Sequence, residues 1–187
     1  MLVGSKLKVE ERRNKDPLVI LRNLLTHNSD DDILSSIKTQ NSKIIQHIPE
    51  SEYRAIIKYR MRARNQLENH VVMQVSPALW RALIDAAKLH IDLQRVLVED
   101  RSPLIQCTKC LEFRHGRKNC KTEVDLCSHC AGPHLRKDCP DRLAGSPPTC
   151  INYQRGNFKN TDHDSFNDDC PVRRKWDKLA RSSVAYC

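Results

Sequence analysis

Cysteine and histidine form two near-repeats in this chain, Cys107-x2-Cys110-x4-His115-x4-Cys120 and, six residues on, Cys127-x2-Cys130-x3-His134-x4-Cys139. Three thiols and one imidazole within so short a stretch make a complete tetrahedral ligand set for zinc. The Cys-x2-Cys pair turns tightly and aims both sulfurs at one point. The histidine and last cysteine return to close the far side. Loops this short bury almost nothing apolar, so the metal must hold them together. Structural zinc supplies roughly 10–16 kcal/mol of apparent binding energy, enough to fold a peptide without a core. His129, inside the second turn, is a spare imidazole whose position points it away from the metal, so His134 is the expected ligand.

A third array, Cys150-x2-Tyr153-x9-His163-x6-Cys170, has tyrosine where the second cysteine belongs. Cys150, His163 and Cys170 remain as a degenerate set, either vacant, open to water, or completed by Cys187. A three-ligand zinc that keeps a water is the catalytic form. Loss of one ligand from a structural set is the simpler account, so the expected count is two Zn2+ per chain, not three. Nothing else suggests catalysis. The His-x-Glu and Pro-Cys-x-x-Cys pairing of nucleobase deaminases is missing, and so is His-Glu-x-x-His. Both complete sets leave no open position. The sequence reads as that of a binding protein, not an enzyme.

Charge points to what is bound. Lys and Arg number 32 against 23 Asp and Glu, a formal net charge of +9. Such a balance suits a polyanionic partner. From Arg101 onward there are 16 basic and 10 acidic residues, so most of the excess surrounds the metal loops. Phe113, Arg114, Arg117, Lys118 and Lys121 border the first set, Arg136 and Lys137 the second, and Arg173, Arg174 and Lys175 form a cluster beyond the third. One ring with several cations on a small pinned loop suits single-stranded RNA or DNA, the ring stacking on a base and the cations following phosphates. No run reaches the ~18 apolar residues of a membrane span, and the first 16 residues lack the apolar stretch of a secretory signal. All nine cysteines lie at or beyond Cys107. That placement favours metal-held thiolates in a reducing, intracellular setting, cytoplasmic or nuclear, over a disulfide scaffold.

The elements ahead of the metal loops read as one α+β domain over residues 17–100, after a flexible lead-in at 1–16. An apolar run from Leu18 to Leu21 predicts a strand. Ser29 and three aspartates predict a capped helix that fades near Asn41. Residues 53–64 alternate, with Ala55, Ile57, Tyr59, Met61 and Ala63 on one side and five basic residues on the other, which predicts a strand with a basic open face. Strands at 71–75 and 91–98 flank a helix opened by Ser76-Pro77. The order β-α-β-β-α-β is that of the ferredoxin-type split β-α-β layout shared by RNA-recognition modules. Small metal modules at 107–120 and 127–139 follow, then a Pro/Gly linker at 140–149, the degenerate loop at 150–170 and a basic tail at 171–187.

Cys107-Thr-Lys-Cys110 with Phe113, Arg114, His115 and Cys120 resembles a retroviral nucleocapsid CCHC zinc knuckle. With the shorter second set, the Cys150, His163 and Cys170 loop, and Arg173-Arg174-Lys175-Trp176, the array resembles the Gag-like first-open-reading-frame proteins of insect non-LTR retrotransposons. Two positions depart from that family. Arg114 stands where glycine is usual, and Tyr153 where cysteine is usual. The resemblance implies an RRM-like upstream domain, binding of the element's own transcript, self-association into a ribonucleoprotein, and nucleic-acid chaperoning. The alternative kept from the residues alone is a zinc-stabilised protein–protein interaction module.

Overall fold

The computed structural model describes residues 14–159 and 161–186, which divide into two compact units. Residues 14–101 with 183–186 make the first, and 102–182 the second. Cys187 and most of the lead-in lie outside the described residues.

The first unit is α+β. Its strands are β1 (Leu18–Leu25), β2 (Ala55–Arg62), β3 (Glu68–Val75), β4 (Lys88–Ile91) and β5 (Gln94–Arg101), and its helices are α1 (Asp30–Gln40), α2 (Ser42–Ile45) and α3 (Pro77–Ala86). The strands form one sheet in the order β2-β3-β1-β5-β4, with every pairing antiparallel. At the start of α1, Ser29 accepts from the Asp32 amide while the Asp32 carboxylate accepts from the Ser29 amide. This reciprocal cap satisfies two of the donors that a helix N-terminus leaves open. Ile33 and Ile37 of α1 and Leu79 and Leu83 of α3 then pack with Val19, Leu21, Val71, Met73, Leu89 and Val98 from one sheet face. Each of these ten side chains is at most 4% exposed, and together they supply a core that needs no metal.

Two strands differ from the sequence expectation. In β2 the register shifts between Ile57 and Tyr59, so Ile57 lies opposite Met73 but Tyr59 lies opposite Val72. The extra residue, Lys58, reverses which residues face the core. Arg60 therefore lies on the helix side, donating to Asp30 (3.1 Å) and to the Asn28 carbonyl (2.9 Å). Arg54, ahead of the strand, pairs with Asp16. The basic residues do not make the single open face that alternation suggested. The expected fourth strand is a hairpin, β4 and β5 joined through Asp92 (φ 54°) and Leu93, which is 96% exposed. An apolar residue at the turn tip concealed the break. The face away from the helices is not bare either, since the register partners Ile20 and Val72 at its centre are 1% and 0% exposed.

Among its described residues the second unit has two short helices, α4 (Pro140–Leu143) and α5 (Ile151–Arg155), and one longer helix, α6 (Pro171–Arg181). Among the described residues no helix is long and apolar enough to cross a membrane.

Because the first unit is held by apolar packing, Leu83→Ala should cost about 2–5 kcal/mol. Thermal and denaturant unfolding of the full chain, followed by circular dichroism, should show the same loss with and without a chelator. A cooperative sheet transition that disappears on chelation would contradict this.

Candidate metal centres

The two complete sets are built alike. Leu111 donates its amide to the Cys107 carbonyl (3.1 Å), and the Lys109 amide points at the Cys107 sulfur (3.3 Å). Ala131 and His129 repeat this around Cys127, at 2.8 and 3.4 Å. Each turn passes through one residue with positive φ directly after its second cysteine, Leu111 at 66° and Ala131 at 64°. Single 3-10 turns, Arg117–Asn119 and Arg136–Asp138, then carry the chain from the histidine to the last cysteine. His115 Nε2 lies 3.2 Å from the Cys110 sulfur and His134 Nε2 3.4 Å from that of Cys130, and the Cys130 and Cys139 sulfurs are 3.6 Å apart. Tetrahedral zinc with bonds near 2.3 Å to sulfur and 2.0–2.1 Å to nitrogen places its ligand atoms about 3.5–3.8 Å apart. The donor sets fit that ion.

Burial pushes the Cys110 thiol up to about 11 and that of Cys130 up to about 12. Burial also raises the last cysteine of each set. There it is outweighed by hydrogen bonds, first among them those from His115 to Cys120 and from His134 to Cys139, so both are lowered to about 6. A metal entering either set must displace the proton on the inner thiol, so its uptake releases protons and strengthens as pH rises. His129 stays out of the set, its Nε2 3.0 Å from the Ser146 carbonyl.

The third array also converges. Cys150, His163 and Cys170 bring their ligand atoms within 4.8 Å of one another, and the two sulfurs are 3.9 Å apart. Both cysteines are buried, and the His163 Nε2 is buried with no hydrogen-bond partner. Here α5 replaces the Cys-x2-Cys turn and carries Tyr153, whose ring stands edge-on to His163 at 4.8 Å.

The three loops are not beads on a string. The Leu126 amide donates to the Lys109 carbonyl (2.8 Å), tying the second loop to the first. The Ser165 amide donates to the Ser128 carbonyl (3.0 Å), tying the third to the second. Gln106 reaches the carbonyls of Leu111 and Ser165, and Asn152 that of Leu111. Arg155 donates to the Cys110 carbonyl (3.0 Å), and Arg136 pairs with Asp164. Nothing in the sequence marks Gln106, Ser128, Asn152 and Ser165, because isolated polar residues carry no periodic signal.

Compared with family models, curated proteins and solved structures, the chain matches none. Its functional reading rests on its own residues.

The residues expected to meet nucleic acid fall into two groups. Phe113 is 8% exposed and stacks on Trp176 with ring centres 5.8 Å apart, and Arg114 lies over the same indole at 6.0 Å. Base stacking at Phe113 requires Trp176 to leave. Arg117 pairs with Asp125, Arg136 with Asp164, Arg173 with Asp168 and Gln106, and Arg174 with Asp169. Lys118, Lys121, Lys137 and Lys175 are exposed, and none forms an ion pair among the described residues.

Two neighbouring positions test this geometry with opposite signs. Ala131 holds a left-handed conformation, which costs an L-residue roughly 1–2 kcal/mol. Ala131→Gly relieves that at a smaller entropic cost and should tighten metal at the second set by a few-fold. A Cβ on Gly132 would sit 2.8 Å from the His134 ring and 3.3 Å from the Cys130 sulfur, so Gly132→Ala should loosen it. Chelator competition on the full chain reads both.

Proposed function

We propose that the chain is a zinc-dependent, single-stranded nucleic-acid-binding protein of the Gag-like kind, which coats its own element's RNA and self-associates into a ribonucleoprotein. The observation that carries the reading is the pair of complete Cys3His sets in one braced unit that presents Lys118, Lys121, Lys137 and Lys175 to solvent with no ion-pair partner among the described residues. Zinc at Cys107, Cys110, His115 and Cys120, and at Cys127, Cys130, His134 and Cys139, supplies the folding energy that these loops lack. The lysines then follow phosphates, and unpaired strands bend to the short loops where a duplex does not. The order β2-β3-β1-β5 in the first unit supports a ferredoxin-type, RRM-like reading of that domain, with β4 added at the edge.

A second reading has its own observation. Phe113 is covered and four arginines are matched to carboxylates, as in a zinc-stabilised module that binds protein. Salt dependence separates the two. With four free lysines neutralising phosphates, the log–log slope of affinity against salt for single-stranded RNA should be roughly −2.8, at about −0.7 per contact. Lys118→Ala with Lys121→Ala should flatten it by about 1.4. Arg117→Ala should change it less, since Asp125 already offsets that charge. Affinity for RNA that is indifferent to salt, or unchanged after chelation, would leave the protein-binding reading standing.

A further inference from the structure

Tyr153 in place of a cysteine suggests a dead third loop if each loop must be assembled by its own metal. The structure removes that condition. Both ends of the third loop are held by contacts that involve no ligand atom, through Ser165 to Ser128, Gln106 to Ser165, Asn152 to Leu111 and Arg155 to Cys110. Ser165 is 0% exposed and Asn152 6%, so these are buried bonds and costly to break. Ligand convergence is therefore supplied by the scaffold.

Within that scaffold two sulfurs lie 3.9 Å apart, close to the spacing across a tetrahedral zinc, and the His163 Nε2 is buried with nothing to bond. A buried ring nitrogen without a partner is costly, and a metal satisfies it. Tyr153 borders the set, its ring edge-on to His163 at 4.8 Å and tilted against Phe158 at 5.1 Å. Phe158 in turn packs where a Cβ on Gly156 would stand, 2.4 Å from its ring. A phenol ordinarily ionises near 10 and is neutral at pH 7, which makes it a poor zinc ligand. The two cysteines and the His163 Nε2 are themselves buried, whereas the Tyr153 residue beside them is half-buried, so an incoming ligand would approach past that ring.

We propose that Cys150, His163 and Cys170 form a third metal centre with three protein ligands and one exchangeable position beside Tyr153, open to water or a small anion. This rests on the metal reading of the first two sets. It differs from them in kind, since they are closed and structural while this one can exchange a ligand.

The test uses the full chain loaded with Co2+, with metal counted per chain, visible spectra recorded and azide added. Three cobalts are expected, with azide shifting the visible bands of one. Cys170→Ser should lose one metal and the azide response together. Tyr153→Cys should keep three metals and lose the response, because the position is then closed. Tyr153→Phe should change neither. Two cobalts in the unaltered chain, three without an azide response, or a Tyr153→Phe spectrum altered before azide is added would each overturn the open site. No bound cobalt at all would overturn the zinc reading of the first two sets as well. Should Cys170→Ser fail to fold, the Tyr153 pair decides alone.

Discussion

Sulfur atoms less than 4 Å apart are the constraint on which the second unit depends. The Cys130 and Cys139 sulfurs stand at 3.6 Å and those of Cys150 and Cys170 at 3.9 Å. As thiolates, pairs at this distance repel each other, and as buried thiols they are held close for little return. A divalent cation at the centre reverses the sign of that interaction. The first unit faces no such problem. Its sheet and helices close over Leu79, Leu83, Ile33 and Met73, and burial of those side chains stabilises it directly. The first unit is thus stabilised by an apolar core, whereas the second gathers its thiols and imidazoles into clusters that could hold a metal ion.

Convergence alone does not explain why three short loops behave as one body. Backbone polar groups do. In loops with so little regular structure, the carbonyls of Cys110, Leu111, Ser128 and Ser165 must find donors, and each finds one on a different loop or flank. Each loop supplies what its neighbour lacks. A substitution at a ligand in one loop is then felt through its neighbours, and a ligand missing from one loop is partly compensated by them.

Ligand sets were legible because spacing is the chemistry. Cys-x2-Cys with a histidine and a final cysteine fixes the set whatever surrounds it. Capping at Ser29 and the helix opening at Pro77 were legible for the same reason, being local. What alternation could not show was the bulge at Lys58, because one inserted residue leaves the sequence pattern of Tyr53 to Arg64 intact while reversing its faces. Nor could it show that Phe113 would be covered. The ring that covers it belongs to Trp176, 63 residues away in sequence, and no local pattern records that meeting. The spacing of Cys150, His163 and Cys170 carries no trace of the bonds to Ser128, Leu111 and Cys110 on the other two loops that hold the third in place.

Most arginines of the second unit are paired and its lysines are not, with Arg114, over the Trp176 indole, and Arg142 as the exceptions among the described residues. Arg117, Arg136, Arg155, Arg173, Arg174 and Arg181 each pair with an acidic residue of the same unit. Lys118, Lys121, Lys137 and Lys175 remain exposed without such partners among the described residues. The division follows from the side chains themselves, since a planar guanidinium matches a carboxylate with two parallel bonds and an ammonium is a hydrated point charge on a flexible stem. Reading a base edge takes a fork held in register, and most of the forks here are already engaged by carboxylates. Lysines that meet phosphate as point charges carry no sequence information. Under the proposed reading, exposed lysines of this kind would meet a polyanion by charge and leave its sequence unread.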